Sequence, residues 1–114
     1  MEKIEKPWGH EIIWAKTDKY VGKILYIKEG HRLSKQYHRS KEETIMVIEG
    51  SILLEIGDEE SMIRISLKEG MSEHITPGLI HRFSAVFGSD AKIVEVSTPE
   101  LDDVVRLEDD YNRE

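Results

Sequence analysis

Apolar residues recur at every second position along most of this chain, in runs of four to eight cut by Gly, Pro, Asp and Glu. A period of two puts alternate side chains on opposite faces of a pleated strand, so the pattern reads as a succession of short β-strands. The predicted strands are Gly9 to Ala15, Tyr20 to Lys28, Arg32 to His38, Glu43 to Glu49, Ser51 to Ile56, Met62 to Leu67, Ser72 to Ile75, Ile80 to Val86 and Ala91 to Ser97. The cleanest alternation, Ile63, Ile65 and Leu67 against Arg64, Ser66 and Lys68, assigns one face to a core and the other to water. Glu49-Gly50 and Gly57-Asp58 end apolar runs with residues suited to reversal, and they predict a meander. Many short strands without an interior helical period predict an all-β sandwich or jelly-roll barrel that closes its own edges. After Pro99 the pattern changes: Thr98-Pro99 is suited to cap a short helix through Leu101, Val104 and Val105, and an ordered loop fits the same residues.

Size and charge narrow the function classes. The 114 residues suit one domain with one core. Residues 100 to 114 hold seven acids against Arg106 and Arg113, so this segment supplies −5 of the formal −7 and is expected to pack on or beside the barrel. The rest is near neutral, without the basic field that a phosphate backbone demands, and nucleic acid is not an expected partner. No apolar run approaches a membrane span, and membrane association is not expected. The charged opening Met1-Glu2-Lys3-Ile4-Glu5-Lys6 does not resemble a secretory signal and there is no cysteine, so a cytoplasmic location is expected.

Histidine occurs at positions 10, 31, 38, 74 and 81. Gln36 and His38 are two apart and share a strand face. Glu43 opens the next run with the parity of Ile45 and Val47, and His81 follows the turn signal Thr76-Pro77-Gly78. Three strands can therefore bring an amide oxygen, a carboxylate and two imidazoles to one point. Such a donor set suits one divalent ion, with Zn, Mn, Co, Ni and Fe(II) all compatible. Four protein ligands leave an octahedral ion open positions for water or a substrate oxygen.

The spacing Gly30-x5-Gln36-x-His38-x4-Glu43-x6-Gly50, then Gly70-x5-Thr76-x-Gly78-x2-His81, resembles the two cupin motifs in order. Gln36 stands where many cupins carry a first histidine, and Thr76 where they carry proline. Glutamine followed two residues later by histidine is similar to the phosphomannose isomerase branch. Lys6-Pro7-Trp8-Gly9 resembles the Arg-Pro-Trp-Gly opening of the isomerase domain in type II phosphomannose isomerases, enzymes fused to a GDP-mannose pyrophosphorylase. Leu33-Ser34-Lys35-Gln36-Tyr37-His38 resembles their Leu-Ser-Leu-Gln-x-His segment. Val94-Glu95-Val96 and the stretch from Asp102-Asp103-Val104-Val105-Arg106 to Tyr111-Asn112-Arg113 resemble their closing segment. No Gly-rich phosphate loop accompanies them, so pyrophosphorylase activity is not expected. Lys41 stands where the family carries an arginine.

The resemblance implies a cupin double-stranded β-helix and a metal-dependent aldose to ketose isomerisation of a sugar phosphate such as mannose 6-phosphate. It implies Gln36, His38, Glu43 and His81 as metal ligands. Lys41 and Arg106 become the candidate catalytic-site cations and, with Arg82, the candidate phosphate contacts. Trp8 either faces the sugar or anchors the core, and Arg106 has the plain alternative of neutralising Asp102, Asp103, Asp109 and Asp110. His74 shares the parity of Thr76, which would turn it inward, whereas His31 beside Gly30 reads as a turn residue. Two other functions fit the same residues: a non-catalytic sugar or sugar-phosphate binding module, and an Fe(II) oxygenase built on His38, Glu43 and His81. Open sheet edges make a homodimer the expected assembly.

Overall fold

The structure is a computed structural model that describes residues 1–112; Arg113 and Glu114, counted above with the acidic segment, lie outside the described residues. Among the described residues, eleven strands form two antiparallel sheets. One sheet carries, edge to edge, β1 (Glu2–Lys6), β2 (Gly9–Lys16), β3 (Val21–Ile27), β10 (Ala91–Ser97), β5 (Glu43–Glu49) and β8 (Ser72–Ile75). The other carries β11 (Val105–Glu108), β4 (Lys35–Tyr37), β9 (Ile80–Ser84), β6 (Ser51–Gly57) and β7 (Met62–Lys68). Two facing sheets whose strands alternate between them make the expected jelly-roll barrel. None of the described residues is helical, and no helix is long and apolar enough to cross a membrane.

Period-two alternation builds the core. Leu25, Ile27, Ile45, Val47 and Ile93 from the first sheet meet Ile52, Leu54, Leu67 and Phe83 from the second. All are buried, and between them sit Trp8, Leu33 and Ile75. Trp8 enters this cluster because Gly9 lets the chain press against β3. A Cβ at Gly9, whose φ is +153°, would lie 1.9 Å from the Tyr26 carbonyl oxygen.

Five readings of the pattern are corrected. The segment after Pro99 makes a turn at Leu101 and Asp102 and then strand β11, not a helix, in keeping with β-branched Val104 and Val105. Strand β1 lay outside the predicted set; it pairs with β2 from Glu2↔Ile13 to Lys6↔Gly9 although its sequence is mostly charged. The strand predicted over Arg32 to His38 shrinks to Lys35–Tyr37, with one isolated bridge from Arg32 to Ser84. Glu49-Gly50 is not a hairpin, because β5 pairs with β10 and β8 while β6 pairs with β9 and β7. Gly50, at φ +77°, carries the chain from one sheet to the other, and a Cβ there would lie 2.5 Å from the Asp90 carbonyl oxygen. The turn at Gly57-Asp58 is a hairpin, its Asp58 carboxylate accepting the N–H groups of Glu60 and Ser61. Finally, β7 forms a sheet edge, so Leu67 is buried, Ile65 half-buried and Ile63 58% exposed.

Candidate metal centre

His38 directly follows β4, Glu43 opens β5 and His81 lies second in β9. The strand pairing sets Gln36 opposite His81 and, on its other side, opposite Arg106. The N–H of Gly78 donates to the His38 carbonyl at 2.7 Å, which ties the Thr76-Pro77-Gly78 turn to this segment. Potential ligand atoms of His38, Glu43 and His81 all fall within 4.8 Å of one another, and all three residues are buried.

Each histidine is oriented by a backbone carbonyl. His81 Nδ1 donates to the Leu79 carbonyl at 2.9 Å, and His38 Nδ1 to that of Asp103. A carbonyl only accepts, so Nδ1 carries the proton on both rings and both Nε2 atoms turn to Glu43. Glu43 Oε1 lies 3.3 Å from His81 Nε2 and 3.6 Å from His38 Nε2. Gln36 donates its amide N–H to Ser34 Oγ at 2.9 Å and to the Ser34 carbonyl at 3.3 Å, so its Oε1 is the acceptor left for another partner. Two imidazole Nε2 atoms and a carboxylate that converge on one buried point need a proton or a cation among them. The donor set therefore fits a divalent ion held as transition metals usually are, with each ligating imidazole fixed through its second nitrogen.

Charge extends this centre along the barrel interior. Lys41 Nζ lies 3.2 Å from Glu43 Oε2 and 3.1 Å from Glu95 Oε2, and Lys23 Nζ lies 3.2 Å from Glu11 Oε1. All five residues are buried. Burial pushes the Glu43 carboxyl up, but His38, His81 and the Lys41 ammonium outweigh it and hold the group well below its ordinary range. Burial and then the neighbouring Glu43 charge push Glu95 up to about 7, against the pull of Lys41 and Lys23. Burial also disfavours the Lys41 ammonium, yet Glu95 and Glu43 more than offset it and raise its pKa.

A cavity of about 530 Å³ opens onto this array. Gln36, His38, Glu43, His81, Lys41, Arg106 and Trp8 all line it, so seven of the eight residues singled out from sequence share one space. Trp8 belongs to the core and to the cavity wall at once. Arg82 does not line the cavity. It sits between His81 and Phe83 with the opposite parity, donating to the carbonyls of Leu33 at 2.9 Å and Glu108 at 3.0 Å. A substrate role for it is set aside, because its guanidinium fastens the C-terminal segment. His74 is exposed and paired with Glu42 rather than inward, and His31 turns its Nδ1 to the Glu29 carbonyl.

Sequence reasoning missed Glu11 and Lys23, quoted Glu95 only within a motif, and named Asp103 only within a motif and as an acid beside Arg106. Parity could have found three of them, since Glu11 shares a face with Ile13, Lys23 with Leu25 and Ile27, and Glu95 with Ile93. A charge on the inward face of an apolar strand is a site signal in its own right. Asp103 had no such signal. Its carboxylate, held at about 2, accepts the N–H groups of Arg39, Ser40 and Lys41.

Comparison with known proteins agrees with this geometry. Residues 1–109 match the family described as mannose-6-phosphate isomerase C-terminal. The xanthan biosynthesis protein XanB of Xanthomonas campestris pv. campestris is 30% identical over 114 residues, covering 97% of this chain and 24% of XanB. The mannose-1-phosphate guanylyltransferase ManC of Salmonella typhimurium is 31% identical, covering 96% of this chain and 23% of its own. The chain thus spans about a quarter of the length of these curated relatives. Among solved structures, the capsular polysaccharide assembling protein CapF of Staphylococcus aureus superposes with a TM-score of 0.83 at 17% identity, over 94% of this chain and 34% of that one. KdgF from Halomonas sp. gives 0.74 at 16% identity, over 90% and 91%. These neighbours establish the cupin fold.

Proposed function

Because the chain belongs to the mannose-6-phosphate isomerase C-terminal family, we propose that it is a metal-dependent cupin acting as an aldose to ketose isomerase on a sugar phosphate of the mannose 6-phosphate type. The observation that carries the reading is the turn of both histidine Nε2 atoms to Glu43 at the wall of a 530 Å³ cavity, a volume within the range of small-molecule sites. Gln36, His38, Glu43 and His81 would hold the ion. When bound, it supplies a Lewis acid that stabilises negative charge developing on the sugar oxygens.

The chain's own residues supply the surroundings. Lys41 holds a positive charge beside Glu43 and Glu95, where it favours an anionic enediolate. Arg106, on β11 opposite Gln36, brings a guanidinium to the same cavity, suited to phosphate oxygens. Trp8 gives the wall an apolar surface that excludes water from the reacting carbons. Isomerisation requires a proton to leave the carbon next to the open-chain carbonyl and return at its neighbour, and a dry wall keeps that proton from exchanging into bulk.

The test incubates metal-loaded protein with mannose 6-phosphate and follows fructose 6-phosphate. Absence of turnover with Zn, Mn, Co, Ni and Fe(II), at full occupancy in folded protein, overturns the reading. One observation favours a second reading, a binding module without turnover: Lys41 is already neutralised by two carboxylates within 3.2 Å. Thermal stabilisation by mannose 6-phosphate without product would select it.

The expected homodimer has one face suited to it. On the outer side of β2, β3, β10 and β5, Ile12, Ile24, Val94 and Met46 form a cross-strand row, with Trp14 and Val96 beside it. Gly22 leaves room for the Trp14 ring to lie across the sheet. Four strands of about seven residues present roughly 400 Å² of flat surface, about half of what each partner buries in a standard interface. Light scattering checks the assembly: a dimer for the wild type and a monomer for Met46→Lys is the expected pair, and a wild-type monomer rejects it.

A further inference from the structure

Segment 98–106 runs alongside segment 36–43 for the whole length of the ligand loop. At one end, the Thr98 N–H donates to the Glu42 carbonyl at 3.0 Å and Thr98 Oγ1 accepts the Glu42 N–H at 3.0 Å. In the middle, Asp103 Oδ1 accepts the Arg39 N–H at 3.0 Å, and Oδ2 accepts those of Ser40 at 2.7 Å and Lys41 at 2.9 Å. The backbone carbonyl of the same Asp103 takes the His38 Nδ1 proton. At the far end, Val105 and Arg106 pair with Tyr37 and Gln36. Leu101, Asp102, Asp103, Val104 and Arg106 line the cavity.

Residues 39 to 42 belong to no strand, and their N–H groups at 39, 40 and 41 point together. Three converging donors in an irregular loop need an acceptor, and without one the loop would not hold His38 and Glu43 at a fixed separation. One residue, Asp103, supplies that acceptor with its side chain and orients a ligand imidazole with its main chain. The ligand loop and the C-terminal segment therefore cannot move independently.

We propose that Asp103 is a positioning residue that makes segment 98–108 a clasp on the metal loop, so that metal binding and docking of the C-terminal segment are thermodynamically coupled. The inference rests on the metal reading above. Coupling is reciprocal: whatever a docked clasp adds to metal affinity, bound metal returns to the clasp as protection against opening. A side-chain substitution at Asp103 keeps the carbonyl that orients His38 and removes the cap on the loop, and loss of such outer support typically weakens metal binding by about 10-fold or more.

The experiment titrates Zn2+, and separately Mn2+, into wild type, Asp103→Ala and Asp103→Asn by calorimetry, and follows hydrogen exchange of residues 101–108 with and without metal. Removing a negative charge near a cation site would by itself weaken affinity, so the exchange readout decides between simple electrostatics and a clasp. The expected results are slower exchange in 101–108 when wild type binds metal, affinity at least about 10-fold weaker in both variants, and loss of the metal-dependent protection. Wild-type binding that leaves exchange in 101–108 unchanged overturns the clasp, as do folded variants that bind with wild-type affinity. A wild type that binds neither ion overturns the metal reading instead, so the two failures are distinct. The wild-type exchange measurement needs no variant and stands even where Asp103→Ala does not fold.

Discussion

His81 Nε2 faces Glu43 Oε1 at 3.3 Å while its Nδ1 is committed to the Leu79 carbonyl. That arrangement leaves Nε2 as the ring nitrogen available to a metal ion. His81→Ala and His38→Ala are therefore expected to lose metal that the wild type retains when purified without chelator. Chelator should lower the wild-type midpoint of thermal unfolding and leave that of His81→Ala unchanged, since an ion at about 100 times its dissociation constant stabilises the native state by roughly 2.7 kcal/mol. Elemental analysis and thermal scans check this, and equal metal content in wild type and variant would refute the ligand assignment.

Lys41 lies between two buried carboxylates, and its removal leaves them without the cation between them. Lys41→Met is expected to destabilise the metal-free protein by about 3–5 kcal/mol, as when one partner of a buried pair is removed. Adding Glu95→Gln to the Lys41→Met background should recover part of that loss, because one of the two stranded charges disappears. Urea unfolding of the two single variants and the double variant measures the coupling. Strict additivity would mean that Lys41 and Glu95 do not interact.

Strand faces were legible in the sequence, but strand partners were not. Alternation in β6 names Ile52, Leu54 and Ile56 as inward, and they are buried, yet nothing local tells whether Gly50 turns the chain back or sends it to the other sheet. Partner choice is a long-range property, and the same dipeptide serves both uses. The candidate ligands were legible for the complementary reason, since Gln36 and His38 share one strand face and Glu43, within eight positions, takes the inward parity of Ile45 and Val47 on the next strand. Arg82 was misread because its type, an arginine next to a ligand, outweighed its parity, which sends it away from the cavity. The clasp was illegible: Asp103 acts on residues more than sixty positions earlier, and no periodicity reports such a contact.

The buried guanidinium of Arg82 gives a separate prediction. It satisfies the carbonyls of Leu33 and Glu108, and Arg82→Ala would leave them without that donor beneath the C-terminal segment. The expected cost is about 2–3 kcal/mol in urea unfolding, from desolvated acceptors and lost packing. Hydrogen exchange in β11 should rise more than in β6, which two strands separate from β11 in the same sheet. Equal effects on both strands would contradict the view that Arg82 fastens the segment.

Glu95 supplies the pH prediction. Its carboxyl titrates near 7 in the folded protein and near the ordinary 4.5 in the unfolded chain, chiefly because burial disfavours the charge. Between those values the native state holds a proton that the unfolded state has released, so this group's contribution to stability falls as pH rises from about 4.5 to about 7 and is constant above. Glu95→Gln removes that one titration, whatever constant offset the altered contact with Lys41 adds. In metal-free protein, the stability of Glu95→Gln relative to wild type should therefore climb across the window from pH 4.5 to 7 and level off beyond it. Urea midpoints for both proteins at half-unit pH steps measure the difference, and a difference that is flat or falls across the window rules out the raised titration.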